Sequence, residues 1–193
     1  FLVKDEAKKR VLEGESLYIS GIAGTGKSHF MKELVRELRE QGVNVHIVAK
    51  CHVAALNATV RNEEGGVIVA GQTAQAFVHK YNGTGGFNKG VLVLEEVYTM
   101  DTTMLQALSS RKKMGVRYII LGCANQFKAI GDSFNGVTCD PDMEATHWLK
   151  SLCDGNRLHL AEGMRSDCAL WDFHSSIASG ASRFHWPLQD PTP

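Results

Sequence analysis

Ser20-Gly21-Ile22-Ala23-Gly24-Thr25-Gly26-Lys27-Ser28 fits the pattern G-x-x-x-x-G-K-[ST] residue for residue from Gly21 to Ser28. The pattern has a physical reason. Glycines let the backbone turn its N–H groups inward around phosphate oxygens, the lysine reaches the β- and γ-phosphates, and the final hydroxyl ligates Mg²⁺. A helix N-terminus completes such a cradle. The flanks decide the reading. Upstream, Ser16-Leu17-Tyr18-Ile19-Ser20 is a short apolar run suited to a buried strand, and downstream Met31, Leu34, Val35 and Leu38 recur at helical spacing. Strand, loop and helix thus follow in the order a phosphate-binding turn needs, an order that a glycine-rich turn binding nothing would not require. Gly21, Ile22, Ala23, Gly24, Thr25, Gly26, Lys27 and Ser28 are the expected contacts of a triphosphate.

Working outward, Asp5 to Leu12 is a charged segment expected to form a short surface helix before the first strand. After the loop's own helix, Gln41-Gly42 supplies a stop and Val43 to Ala49 reads as a second strand, with Lys50-Cys51-His52 at its carboxyl end. Val53 to Asn57 starts a helix that the polar, glycine-containing run Arg61 to Gly66 breaks. Gly71-Gln72-Thr73 leads into a helix over Ala74 to Tyr81. Val91-Leu92-Val93-Leu94-Glu95-Glu96-Val97 is the clearest strand, an unbroken apolar run that suits a parallel strand buried on both faces, and it closes in two carboxylates. A helix over Thr102 to Lys113 follows, with Met104, Leu105 and Leu108 inward, and then a strand over Val116 to Gly122 with Asn125-Gln126-Phe127 just past its end. Further on we expect a helix within Pro141 to Leu152, a strand at Arg157 to Leu160, Arg165, a helix from Asp167 to about Ile177, and an unstructured tail with Pro187, Pro191 and Pro193. Strands alternating with helices predict a three-layer α/β fold with a mainly parallel sheet, whose ligands sit at the carboxyl ends of the strands.

At 193 residues the chain is long enough for one domain with a substantial core and too short for two of ordinary size. One domain over residues 1–180 and a tail over 181–193 is the expected organisation. The missing initiator Met leads us to expect an excised fragment or a processed chain. Basic and acidic residues both number 21, so the net charge is zero. The overall basic footprint of a strong electrostatic nucleic-acid binder is absent, although a neutral domain can still carry a basic groove. Cys51, Cys123, Cys139, Cys153 and Cys168 form no C-x-x-C pair. That argues against a zinc site and a secreted disulfide framework, and makes a reducing, intracellular compartment the expected home. No apolar run approaches membrane-spanning length and the first residues lack the features of a signal peptide, so no membrane partner is expected.

A phosphate cradle does not by itself hydrolyse phosphate. The reaction needs a carboxylate near Mg²⁺ and a second group to orient or deprotonate the attacking water. Glu95 and Glu96, closing a buried strand, are placed for those two tasks; in the usual Walker B arrangement the first acid, Glu95 here, holds Mg²⁺ through water and the second, Glu96, polarises the attacking water. The alternative is two ordinary surface acids. Gln126, after the next strand, is placed to contact a γ-phosphate, and Arg165 to supply it with positive charge.

Together these residues resemble the first RecA-like domain (1A) of a superfamily 1 DNA helicase, closest to the Pif1/RecD-like branch. Gly21 to Ser28 resembles motif I of that family, and Ala49-Lys50-Cys51-His52-Val53-Ala54-Ala55 resembles motif Ia, which touches single-stranded DNA. Gly71-Gln72-Thr73-Ala74-Gln75-Ala76-Phe77 is similar to the G-x-T-x-x-x-F segment. Leu94-Glu95-Glu96-Val97 with Asp101 resembles motif II, Leu121 to Phe127 motif III, and Gly163-Met164-Arg165-Ser166-Asp167 motif IV, with Arg165 at the phosphate-contacting arginine. The resemblance implies a RecA-like P-loop NTPase domain, ATP and Mg²⁺ as ligands, and ATP hydrolysis coupled to movement on single-stranded nucleic acid, DNA favoured. Lys27, Glu96, Gln126 and Arg165 would carry catalysis, Ser28 and Glu95 would hold the metal, and His52, Thr73 and Phe77 would meet the strand, Phe77 being either a stacking platform or a core aromatic on an amphipathic helix.

The departures from the family pattern are specific. Cys123 stands where motif III usually has Asp, Glu95 where motif II more often has Asp, and no Gln occurs in residues 1–20. The second RecA-like domain with its arginine finger is not within the chain, so this chain is expected to bind nucleotide better than it turns it over. Two other readings stay open at this level: a degenerate domain that binds nucleotide without turnover, and a small P-loop kinase. The kinase needs an arginine-rich lid that the scattered basic residues do not supply.

Overall fold

A computed structural model describes residues 1–81, 86–123, 129, 132–134, 137–138 and 145–163. It begins with helix α1 (Lys4–Glu13), strand β1 (Leu17–Ser20), helix α2 (Lys27–Glu40), strand β2 (Val45–Ala49) and helix α3 (His52–Ala58). A small hairpin of β3 (Val60–Arg61) and β4 (Val67–Val69) precedes β5 (Gly71–Thr73), α4 (Ala74–Lys80) and β6 (Gly90–Leu94). A 3₁₀ turn at Val97–Thr99 leads to α5 (Thr102–Ser109), a second 3₁₀ stretch (Ser110–Met114) and β7 (Val116–Gly122). The described chain closes with β8 (Ser133–Phe134), β9 (Val137–Thr138), α6 (His147–Leu152) and β10 (Arg157–His159).

Six strands form one parallel sheet in the order β10-β1-β7-β6-β2-β5. The apolar runs are continuous because both faces of the sheet are covered, and the period-two alternation of a strand divides them between two cores. Leu17, Ile19, Val91, Val93, Ile119 and Leu121 point to one face, where Met31, Leu34, Val35 and Leu38 of α2 and Ala7 and Val11 of α1 meet them. Tyr18, Leu92, Leu94, Tyr118 and Ile120 point to the other, against Phe77, Leu105, Leu108 and Leu149. This is the three-layer α/β arrangement that the alternation of elements predicts. Side-chain caps set several helix starts: Thr73, Asp101 and Thr146 each accept a bond from the backbone N–H three residues on.

The structure differs locally from the sequence reading in five places. The broken stretch after α3 is not plain loop, since Val60–Arg61 and Val67–Val69 pair as a hairpin around its polar turn. Gly71–Thr73 is the edge strand beside β2, too short for a period to show, and it lies so close to α3 that a Cβ on Gly71 would sit 2.0 Å from the Ala55 carbonyl oxygen. The carboxylate-ended run is strand only to Leu94, and the α-helix after it stops at Ser109. The first helix is not merely a solvated surface element, because Ala7 and Val11 are fully buried. Among the described residues no helix is long and apolar enough to cross a membrane. Gln126, Arg165, the expected helix over 167–177 and the tail over 181–193 lie outside the described residues.

Candidate nucleotide-binding site

The loop between β1 and α2 takes the shape its glycines permit. Gly24 and Gly26 are left-handed at φ 88° and 86°, and Gly21, at φ 148°, is crowded enough that a Cβ would lie 2.4 Å from the Leu160 carbonyl oxygen and 2.7 Å from Thr25 Oγ1. Thr25, buried, braces the turn by donating to the Ile22 carbonyl at 2.9 Å. Lys27 opens α2 and folds back over the loop, its Nζ donating to the carbonyls of Gly21 (2.7 Å) and Ile22 (2.9 Å). An ammonium held on backbone carbonyls is a charge already aimed at the loop.

The sheet order brings the second half of the site to the first. Parallel strands put the carboxyl ends of β1 and β6 on one side with β7 between them, and Ser28 Oγ donates to Glu95 Oε1 at 2.7 Å. Glu95 is only 7% exposed. Burial pushes its carboxyl above the ordinary 4.5, opposed by the Ser28 hydrogen bond, reinforced by Glu96 and opposed again by Lys27. Glu96 has φ 52° and ψ 47°, left-handed for a non-glycine residue, and Thr99 fixes its carbonyl through both N (2.9 Å) and Oγ1 (2.8 Å). Such a conformation costs on the order of 1–3 kcal/mol and persists where surrounding bonds enforce it. A cleft of about 360 Å³ beside the loop is lined by Gly24 to Phe30 together with Lys4 of α1 and Glu33 of α2.

Of the residues expected to meet a nucleic-acid strand, His52 is exposed at the start of α3, and Thr73 ends β5. Ala49 of β2 registers with Thr73, so both segments leave the same end of the same strand pair. The Thr73 hydroxyl is occupied in accepting from Ala76 N at 3.2 Å. The stacking role expected of Phe77 is corrected here. Its ring is 0% exposed, packed on Tyr81, His46 and Phe87 at centroid distances of 4.8, 5.5 and 6.0 Å, and offers no face to a base. Helical spacing points it inward with Ala74, the other buried residue of α4.

A family model described as an AAA domain matches residues 5–152. The chain belongs to the AAA domain family. No curated protein matches it. Among solved structures, the AAA domain is similar to the Pif1 helicase from Candida albicans at 20% identity and a TM-score of 0.67, over 92% of this chain and 44% of that one. It is likewise similar to the Pif1 helicase from Bacteroides solved with ADP-AlF3 and single-stranded DNA, at 15% identity and a TM-score of 0.57, over 94% and 48% of the two chains. At these identities the likeness establishes the fold, and the AAA domain spans less than half the length of either protein.

Of the site residues expected from sequence, Lys27, Ser28, Glu95 and Glu96 converge at the carboxyl ends of the AAA domain's central strands, and Gln126 and Arg165 lie outside the described residues. Lys4 and Glu33 line the adjoining cleft without having stood out. They are solvent-exposed charged residues, and only the packing of α1 beside α2 brings them together. Chemically, the AAA domain assembles an ammonium, a hydroxyl and two carboxylates at one end of a rigid sheet.

Proposed function

We propose that this domain is the ATP-binding half of a Pif1-like DNA helicase or translocase, coupling ATP hydrolysis to movement along single-stranded DNA with a second RecA-like domain as its partner. The observation that carries the reading is the Ser28–Glu95 hydrogen bond of 2.7 Å, which joins the phosphate loop to the carboxylate pair across an intervening strand. The ordered series of motif-like segments and the shared fold support the rest.

Lys27 would exchange its two carbonyl acceptors for the β- and γ-phosphate oxygens of ATP. Ser28 and Glu95 present hard oxygen donors side by side, the kind Mg²⁺ takes when it binds through one or two protein ligands and substrate phosphates, and they would hold that ion. Its contribution there is to neutralise phosphate charge. Glu96, fixed in its left-handed turn, would accept a proton from the attacking water, and Gln126 and Arg165 would sense the γ-phosphate. His52 and Thr73 would lie toward the strand. A second reading, nucleotide held without turnover, is favoured by Cys123: this residue directly follows β7 and is buried, where the resembled motif carries a carboxylate.

The test is a nucleotide titration and steady-state ATP hydrolysis by this chain and by Lys27→Ala, with and without single-stranded DNA. Nucleotide affinity is expected to fall at least tenfold in the variant, the scale of about 1.5–3 kcal/mol for a hydrogen bond to a charged group. Turnover that rises with DNA supports the motor. Nucleotide binding without hydrolysis under either condition supports the second reading, and unchanged binding in Lys27→Ala refutes both.

A further inference from the structure

We propose that the ion pair between Lys50 and Asp101 is a positioning link through which strand binding and nucleotide binding alter one another, an inference that rests on the function proposed above. Lys50 directly follows β2 and stands two residues before His52, and its Nζ lies 2.7 Å from Asp101 Oδ2. Asp101 uses its other oxygen to accept from Met104 N at 2.9 Å, so one carboxylate both caps α5 and holds the loop that enters α3. Lys50 is also the largest cause holding that carboxyl below its ordinary 3.8.

The chain between Asp101 and Glu96 has little slack. Thr99 is bonded twice to the Glu96 carbonyl, Met100 N donates to the Val97 carbonyl, and Val97 and Met100 are buried. A displacement of Asp101 that carries this bonded turn with it reaches Glu96, the one residue of the stretch in a left-handed conformation. The same helix start also holds the chain beyond β7, since Thr102 N and Oγ1 both donate to Asp132 Oδ2, at 3.0 and 2.7 Å. Three segments leaving the carboxyl ends of β2, β6 and β7 thus meet at the first residues of α5. The pair's side chains are 44% and 32% exposed, so it adds little to stability, and a strand phosphate reaching Lys50 competes directly with Asp101. A link that is weak and breakable, joined to a connection that is stiff, transmits a change of ligand rather than merely holding the fold.

The decisive variant is Asp101→Asn, which keeps the oxygen that caps α5 and every cation while removing the charge. Affinity for a labelled oligothymidylate is measured on the full chain with and without a saturating, non-hydrolysable ATP analogue and Mg²⁺. The ratio of the two affinities is the coupling, and by linkage the strand shifts analogue affinity by the same ratio. The wild-type ratio is expected to be at least about fivefold, the lower end for coupled sites. Asp101→Asn and Lys50→Met should bring it close to one, and Lys50→Arg should keep it. A merely structural pair would lower thermal stability and leave the ratio alone. An unchanged ratio in Asp101→Asn, or a wild-type ratio of one with both ligands bound, overturns the link. A wild-type chain that binds analogue but no strand overturns the helicase reading and the link with it.

Discussion

Replacing Phe77 with alanine separates a core residue from a stacking platform. The ring is fully buried among Tyr81, His46 and Phe87, and the Arg111 guanidinium lies 5.1 Å from its centroid. Truncating a buried Phe to Ala costs about 3–5 kcal/mol, combining lost transfer energy with the cavity left behind. Three aromatic neighbours and a cation over the ring put this site in the upper part of that range. Arg111 strengthens the expectation, because it is itself buried and its hydrogen bonds run to the Tyr81 and Phe87 carbonyls, while its Nε has no partner among the described residues. Losing the ring removes one of the few groups that compensate that buried charge. For a chain of this size about 1 kcal/mol corresponds to roughly 2–4 °C, so a cost of about 4–5 kcal/mol should lower the melting temperature by about 8–20 °C. Phe77→Leu, which refills most of the space, should cost only about 1–1.5 kcal/mol. The assay is urea unfolding of both variants at one pH, with strand affinity measured below the transition. A loss under about 1 kcal/mol in Phe77→Ala, with strand affinity cut tenfold, would refute the burial argument and restore Phe77 to the strand surface.

The same aromatic cluster predicts a pH effect. His46 Nδ1 accepts from Gln72 Nε2 at 3.3 Å, and burial, then Lys80 and Arg39, hold its imidazole below the ordinary 6.5. A lowered histidine pKa gives stability that is present above 6.5 and lost as pH falls through the folded value. Wild type should therefore lose stability below about pH 6.5 faster than His46→Gln, and parallel urea midpoints from pH 7.5 to 5 would exclude the effect. Gly21→Ala forces a Cβ to within 2.4 Å of the Leu160 carbonyl oxygen, so it should cost on the order of 1–3 kcal/mol and weaken nucleotide binding by shifting the loop. A variant with wild-type melting and affinity would show that the end of β10 does not constrain this turn.

How much of this was legible in the chain follows from what each signal measures. The phosphate loop, its strand and its helix are local: glycine freedom, an apolar run and a helical stripe are properties of neighbouring residues, and the structure keeps them where the pattern put them. The continuous apolar runs likewise announced strands covered on both faces. Phe77 is open between core and strand in the chain alone, because an aromatic on a short helix after a sheet end does not say which side of that helix is covered. β5 has no signature in the chain because three residues with a glycine carry no period, and the hairpin after α3 has none because short pairing is decided by its partner strand. The cradle, the parallel α/β class and the pair of carboxylates closing a buried strand can be read from the order of residues alone. That Ser28 meets Glu95, that Lys50 holds Asp101 and that Phe77 lies inside emerges only once the sheet and its helices are packed. Each of those is a contact between residues distant in the chain, set by strand order and by which face of the sheet each helix covers.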